Sequence, residues 1–238
     1  MIQTEGIFVG GSAISAPIIG EDFNWSGGDG TYQVLDDGGG NWRIKLLSSG
    51  TFTPLKNMVI DVFLVGGGGG AGSSYCGEGG AGYTTTVRSI VLTANTAYSI
   101  VVGAAGTNGN PSSAGGETTA FTASAAGGKN TSNGTSSSKR PGGAGGSGGA
   151  GYVSPVATTT GGTDGGDGTS SATTGGKGQG TTTREFGEAD GDLYASGGGS
   201  NLSATVANSG NGGRNGITSI APADGIVVIR QHKEVAAA

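Results

Sequence analysis

Alternating apolar and polar residues predict the first strands of the chain between residues 31 and 53. In NWRIKLL, the apolar residues Trp42, Ile44 and Leu46 alternate with two basic residues, which is the period-two pattern of a strand with one buried face. TYQVL precedes this strand, and DDGGGN between the two has the composition of a glycine-rich hairpin turn. We therefore expect a β-hairpin here, and we expect Phe52 to begin the next strand.

Longer apolar runs predict the other strands. MVIDVFLV (58–65) is apolar on both faces except at Asp61, as in a buried central strand. TTTVRSIVL (84–92) and AYSIVVG (97–103) are strand-like segments on either side of TANT, a predicted turn. GIVVIRQ (225–231) follows more than a hundred weakly apolar residues. Because a lone strand is not stable, it must pair with the earlier strands.

Between these strands the pattern gives way to glycine, which supplies 55 of the 238 residues. MVIDVFLV runs directly into five glycines, and PGGAGGSGGAG (141–151) contains further blocks. Glycine segments in polyproline-II geometry have three residues per turn, so they can pack closely and hydrogen-bond to one another. We expect such helices, with the third position of 142–150 pointing outward. The alternative is a disordered low-complexity linker, although we expect both ends of the segment to be anchored in one sheet.

The predicted fold class is all-β: a β-sandwich of the jelly-roll or TNF-like type with a large inserted bundle of polyglycine-II helices and almost no α-helix. Residues 1–50 are predicted to hold an N-terminal attachment segment and the first hairpin. Residues 51–103 and 217–231 form the predicted sandwich. Residues 104–216 form the predicted glycine-rich insertion with exposed loops.

Composition and motifs argue against several functions. The net charge is −5, and the basic residues do not cluster as they do on nucleic-acid-binding surfaces. No apolar run is long enough for a membrane span or a signal peptide. One cysteine and one histidine, His232, leave little for a nucleophile pair or a zinc site. GGDGTYQVL, GGDGTSS and GEADGDL only partly match calcium-binding patterns. We expect no enzyme activity, no cofactor and no metal.

The remaining functional candidates are polar loops between the glycine blocks, since loops on a rigid scaffold commonly carry recognition. Tyrosine and arginine are frequent contact residues. For Phe186 and Tyr194 the alternative is that they pack under the loops as small satellite cores. The candidate contact residues are Tyr75, Lys139, Arg140, Tyr152, Arg184, Phe186 and Tyr194.

Several segments taken in order resemble a known group of proteins. They are NWRIKLLSSGTFTP, DVFLVGGGGGAG, GGAGYTTTV, NTAYSIVVGAAG, GGETTAF, GQGTTTREFGEADGDLYASGGG and GIVVIR. This series resembles the glycine-rich tail or fibre proteins of bacteriophages and prophages of gut Gram-positive bacteria. The architecture is similar to the glycine-rich module of anaplastic lymphoma kinase and to the tip adhesins of T-even-like phages, whose loops touch the host receptor.

The resemblance implies a virion-surface protein, made in the host cytoplasm, that binds a glycan or protein of the bacterial surface. It further implies contact with other virion proteins through the N-terminal segment, and a homo-oligomer, with a trimer suspected. A capsid decoration or head-fibre protein is the alternative, and a polysaccharide-degrading tail enzyme is a third possibility. No long shaft repeat is present, which favours a short tail-tip adhesin or a capsid-surface fibre over a long fibre.

Overall fold

The computed structural model describes residues 21–38, 41–135, 140–152, 160–169, 175–199, 202, 204–215 and 219–231. Within these ranges the chain folds into ten β-strands and a single turn of 3-10 helix at Glu185–Gly187. The strands are β1 (Phe23–Trp25), β2 (Tyr32–Gly38), β3 (Asn41–Leu46), β4 (Gly50–Pro54), β5 (Met58–Val65), β6 (Thr84–Leu92), β7 (Tyr98–Val101), β8 (Thr118–Ala120), β9 (Ala123–Ala125) and β10 (Ile226–Gln231).

The strands form two antiparallel sheets, which confirms the predicted all-β, sandwich-like fold. Sheet A has the order β1-β4-β7-β8-β9, and sheet B has the order β2-β3-β10-β5-β6. The predicted hairpin is present as β2 and β3, which pair with Val34 opposite Ile44. β5 is central as predicted, and the C-terminal strand β10 pairs with both β3 and β5. The turn TANT leads from β6 in one sheet to β7 in the other.

Two hydrophobic cores lie on the two faces of sheet B. The inner core fills the space between the sheets, where Phe23, Phe52 and Leu64 are fully buried. The outer core forms because the other face of β5 and β10 is also apolar, and Phe63 there packs against residues of a distant loop. β5 is apolar on both faces for this reason.

The predicted domain boundaries differ from the structure in two places. Residues 23–46, which the prediction groups with the attachment segment and first hairpin outside the sandwich, lie within it, because β1 pairs with β4 and β3 pairs with β10. The segment 104–216 also supplies β8 and β9, which extend sheet A beyond β7. These strands have only three residues each and alternate threonine or serine with alanine, so their apolar signal is weak. Most of the proposed attachment segment, residues 1–20, lies outside the described residues.

The glycine segments pack as a hydrogen-bonded bundle beside the sandwich. Successive N–H groups of segments 66–70 and 78–83 donate to neighbouring segments in rotation, so that every third N–H reaches the same neighbour. This is the three-residue period of polyproline-II-type helices. The pairs, with the donor first, are Gly66 with Tyr83 and Gly69 with Gly80; Gly67 with Gly116 and Gly70 with Ser113; Glu78 with Ala150 and Ala81 with Ser147; Gly79 with Gly213 and Gly82 with Gly210; and Gly80 with Lys129 and Tyr83 with Ala126.

The prediction that every third side chain of 142–150 points outward is wrong. Ser147 and Ala150 are almost completely buried. The segment also does not run straight: residues 143–146 lie parallel to 78–81, whereas 147–150 return antiparallel to it. Ser147 lies where the chain reverses, and its hydroxyl accepts a hydrogen bond from the N–H of Gly165. A small side chain therefore fits inside the bundle where the chain turns.

Candidate recognition surface

The first two glycine segments form a long hairpin that projects from sheet B. Segment 66–72 leaves the end of β5, and segment 79–83 returns antiparallel to it and enters β6. Seven residues of polyproline-II-type helix span roughly 20 Å, so the connecting residues 73–78 lie at the far end of the bundle. We call this end, with the segments that meet it, the bundle tip.

Tyr75 lies at the bundle tip in a strained conformation. Its φ is 46°, a region that few residues other than glycine adopt, and the residue is 42% exposed. The side-chain oxygen of Asn133 accepts hydrogen bonds from the N–H groups of Ser73 (2.7 Å) and Ser74 (3.4 Å). The N–H of Arg140 donates to the Tyr75 carbonyl at 3.1 Å. Neighbouring loops therefore hold the backbone at Tyr75 in place.

Three of the seven predicted contact residues meet at the bundle tip. The rings of Tyr75 and Tyr152 lie 5.7 Å apart between centroids, with their planes tilted by 50°. Arg140 is exposed and is joined to Tyr75 through its backbone. Lys139 lies outside the described residues. The tip thus combines two neighbouring tyrosine rings with an exposed arginine, which are residue types suited to contact with a partner.

Asparagine side chains hold the bundle tip together, and the sequence analysis did not identify them. The Asn108 side chain accepts from the N–H of Ala71 (2.8 Å) and donates to the carbonyls of Arg214 (3.1 Å) and Ile220 (2.9 Å). One side chain thereby joins three segments, beside the backbone hydrogen bonds from Gly109 to Ala71 and between Arg214 and Ile220. A signal was present, because TNGN, TSNG and GRNG place asparagine beside glycine in three separate loops.

A buried carboxylate lies just inside the bundle tip. Glu78 is 7% exposed, and one of its carboxylate oxygens accepts a hydrogen bond from the N–H of Asn215 at 2.6 Å. Burial raises the pKa of Glu78 to about 7, against the opposing effects of the Asn215 N–H and the nearby charge of Arg214. The group therefore changes its charge near neutral pH.

The other three predicted contact residues lie on the outer face of sheet B, away from the tip. Phe186 and Tyr194 are 3% and 9% exposed, and their rings lie 6.0 and 5.7 Å from that of Phe63. Their burial leaves little ring surface for a partner, so they fit the alternative of a satellite core under the loop. Arg184 is half-buried, pairs with Asp164 at 3.3 Å and donates to the carbonyl of Gly191 at 3.1 Å.

A buried ionic network fastens this loop to the sheet. Glu185 is 1% exposed. It forms ion pairs with Arg43 and Lys45 and accepts a hydrogen bond from the hydroxyl of Tyr194. Burial raises the pKa of Tyr194 to about 12. For Lys45, burial acts to lower the pKa, but hydrogen bonds from its ammonium group to Tyr194, Glu185 and Asp192 hold the pKa above its ordinary value. The two basic residues of NWRIKLL thus face acids of the loop.

Nothing among the described residues indicates a metal centre or a membrane span. No group of three or more histidine, cysteine or acidic residues comes together within these ranges to bind an ion. Asp192, one of the acids of GEADGDL, instead pairs with Lys45 at 3.0 Å. In the same part of the chain no helix has the length and apolar character needed to cross a bilayer.

The regions just described match a known protein family. A family described as a glycine-rich domain matches residues 47–230, which is most of the sequence. The chain belongs to this glycine-rich domain family. Comparison with curated proteins gives no match.

The region that matches the glycine-rich domain begins directly after β3 and ends in β10. It therefore contains β4 to β9, the outer core and all the glycine segments of the bundle. The strands β1 to β3 precede the matched region, although β3 pairs with β10 in the middle of sheet B. The bundle tip and the loop over sheet B both belong to the region that the family shares.

Proposed function

We propose that this glycine-rich domain is a non-enzymatic structural protein of a bacteriophage virion that binds the bacterial surface as a tail-tip or fibre adhesin. The observation that carries the proposal is the meeting of Tyr75, Tyr152 and Arg140 at the bundle tip. The resemblance of the strand and glycine segments to phage tail and fibre proteins supports the assignment to a virion. The partner is a glycan or protein of the bacterial cell surface.

The physical basis of binding is a fixed contact surface. A ring that is already held in place loses little conformational entropy when it binds, which leaves more of the contact energy for affinity. Tyr75 meets part of this requirement, because Asn133 holds the backbone at Ser73 and Ser74 just before it and the N–H of Arg140 donates to its carbonyl. Each tip is small, so strong adsorption depends on several copies acting together. The proposal includes a homo-oligomer, with a trimer as its leading form, and attachment to other virion proteins through the N-terminal segment.

The test is adsorption of purified protein to a panel of gut Gram-positive bacteria. The double variant Tyr75→Ala/Tyr152→Ala is expected to lose most of its binding, because it removes the aromatic pair. Val91→Ala is the control, since Val91 is also exposed but lies on β6 at the far side of sheet B. Equal binding by both variants and the original protein would reject the tip as the contact surface.

Location on the virion separates the adhesin from its main alternative. Antibodies against the purified domain should label the tail tip if the protein is an adhesin. Labelling over the capsid shell, together with unchanged adsorption in the tip variants, would favour a decoration or head-fibre protein instead. Release of reducing ends from host polysaccharide would contradict the assignment as a non-enzymatic protein.

A further inference from the structure

A polar groove lies on the outer face of sheet B, away from the bundle tip. It has a volume of about 320 Å³ and runs between strand β6 and the loop that contains the 3-10 turn. Every second residue of β6 from Thr84 to Arg88 faces it, because side chains two apart share one face of a strand. The lining residues are Thr84, Thr86, Arg88, Gln179, Thr181, Thr182, Phe186 and Gly187.

The Gln179 side chain arranges the hydroxyl groups of the groove. Its amide oxygen accepts a hydrogen bond from the N–H of Thr84 at 2.8 Å, which fixes the orientation of the amide. Its amide nitrogen then donates to the hydroxyl oxygens of Thr84 (2.6 Å) and Thr181 (2.7 Å). A threonine hydroxyl that accepts in this way still has its own proton to donate. The groove therefore offers oriented hydroxyl donors to a ligand.

The charges beside the groove are balanced. Arg88 bonds to the buried carboxylate of Asp61 at 3.2 Å and to the carbonyl of Phe186 at 2.8 Å. Arg230 shares Asp61 and also pairs with Glu188 at 2.8 Å. Two guanidinium groups thus meet two carboxylates. This balance disfavours an anionic ligand and favours a neutral one with oxygen acceptors.

The wall of the groove opposite β6 is a strained turn. Phe186 has a φ of 55° and Gly187 a φ of 70°, and a bulky aromatic residue adopts such a φ only when its surroundings impose it. Here the ring lies under the guanidinium of Arg230, 3.9 Å from its central carbon, and against Phe63. This packing holds the turn in place, so the groove keeps its width without a ligand.

From these observations we propose that the groove binds a neutral saccharide unit. Ring and hydroxyl oxygens of the sugar accept hydrogen bonds from the hydroxyl groups of Thr84 and Thr181, and Thr86 contacts the sugar from the floor of the groove. The site is separate from the bundle tip and does not depend on the tip being an adhesive surface.

The experiment is an NMR titration of the full chain with methyl glycosides of glucose, galactose and N-acetylglucosamine. Concentrations reach tens of millimolar, enough to saturate a site with a Kd of about 1 mM. The expected result is that at least one glycoside shifts resonances of residues 84–88 and 179–187. If none of the three does so, the proposal is wrong. Shifts confined to Tyr75 and Tyr152 would also overturn it, while supporting recognition at the tip.

Matched threonine variants test the hydrogen bonds. Thr181→Val removes one hydroxyl with little change of shape and is expected to weaken binding about fivefold, the loss typical of one hydrogen bond. Thr181→Ser should retain binding, which would exclude misfolding as the cause. Thr119→Val, on strand β8 of the other sheet, is the control and should bind as the original chain does. Equal affinity of Thr181→Val and the original chain would contradict the proposal.

Inorganic phosphate tests the inference from charge balance. A neutral site with paired guanidinium groups should show no saturable shifts with phosphate at the same concentrations. Saturation by phosphate with no response to the glycosides would mean that Arg88 is an anion-binding group, and the saccharide assignment would be rejected.

Discussion

The sandwich and the glycine bundle are built in one chain from two different kinds of core. In the sandwich, large side chains such as those of Phe52 and Leu64 are fully buried between the sheets. In the bundle, the space that a side chain would occupy is taken by a neighbouring backbone: a Cβ on Gly67 would lie 2.1 Å from the carbonyl oxygen of Ala104. Apolar burial stabilises the first, and backbone hydrogen bonding between segments holds the second.

This difference predicts opposite sensitivities to substitution. A core of side chains is weakened most by removing atoms, because a cavity remains. A core of backbones has few side-chain atoms to lose and is weakened mainly by adding them. It also explains how a chain with 55 glycines and few large apolar residues can fold.

The largest loss of stability is expected when a large side chain is removed from the sandwich. Phe52 stacks on Phe23 with ring centroids 5.2 Å apart and meets Phe121 edge-on at 6.1 Å. Phe52→Ala should lower the free energy of unfolding by about 3–5 kcal/mol, the usual range for a buried phenylalanine. Urea denaturation measures this loss. A loss below about 1 kcal/mol would mean that the inner core does not stabilise the fold.

Next in size is the effect of adding side-chain atoms to the bundle. A Cβ on Gly106 would lie 2.1 Å from the carbonyl oxygen of Ser113, and a backbone oxygen cannot rotate away as a side chain can. Gly106→Val should therefore cost about 3 kcal/mol, at the upper end of the overpacking range. Amide hydrogen exchange should show lost protection in the glycine segments while β5 and β10 stay protected.

Ala104→Val is the matched control for Gly106→Val. Ala104 lies two residues earlier in the same segment, but its side chain is exposed. The added methyl groups then point into solvent, and the free energy of unfolding should change by no more than about 0.5 kcal/mol. Equal effects of the two variants would mean that the segment is not closely packed.

The sequence predicts the long strands of the sandwich better than it predicts where the sheets end. β5 and β10 were predictable because long apolar runs need burial on both faces and a lone strand needs partners. β8 and β9 were missed because strands of three small residues give almost no periodic signal. Their place is decided by sheet A, in which β7 pairs with β4 on one side and needs a second neighbour on the other. The reversal at Ser147 was missed because GGA and GGS repeats look continuous in sequence.

For the candidate site, residue type was predictable and location was not. Tyr75 and Tyr152 are far apart in sequence, and the path of the bundle decides that their rings meet. A phenylalanine in a polar loop is equally consistent with contact and with burial. The apolar outer face of β5 decides between them for Phe186, because Phe63 needs cover. The supporting asparagines carry no apolar signal and are recognised only from the backbone groups that they bind.

A smaller effect on the bundle is expected from pH. The pKa of Glu78 in the folded chain, about 7, lies above its ordinary value of 4.5. The folded state therefore holds this proton more tightly, so its contribution to stability is complete below pH 4.5 and is lost as the pH rises through 7. The shift corresponds to at most roughly 2–3 kcal/mol.

Glu78→Gln isolates this contribution, since glutamine is uncharged and can still accept the hydrogen bond of Asn215. The stability of the original chain relative to the variant should fall between pH 5 and pH 8, measured by urea denaturation at each pH. A constant difference would show that Glu78 keeps an ordinary pKa. A difference that rises with pH would mean that the Asn215 N–H and Arg214 outweigh burial.

The smallest change in stability is expected at the bundle tip. Its size distinguishes an exposed aromatic residue there from one that is buried and supports the fold. Tyr75 is 42% exposed and its ring is tilted by 50° against that of Tyr152, so Tyr75→Ala should lower the free energy of unfolding by less than about 1 kcal/mol. Phe186→Ala removes a buried ring that lies on Phe63 and under Arg230, and it should cost about 3 kcal/mol. Thermal and urea denaturation of both variants measure the contrast. A large loss for Tyr75→Ala would make its ring part of the fold, and its exposure would then no longer argue for a partner.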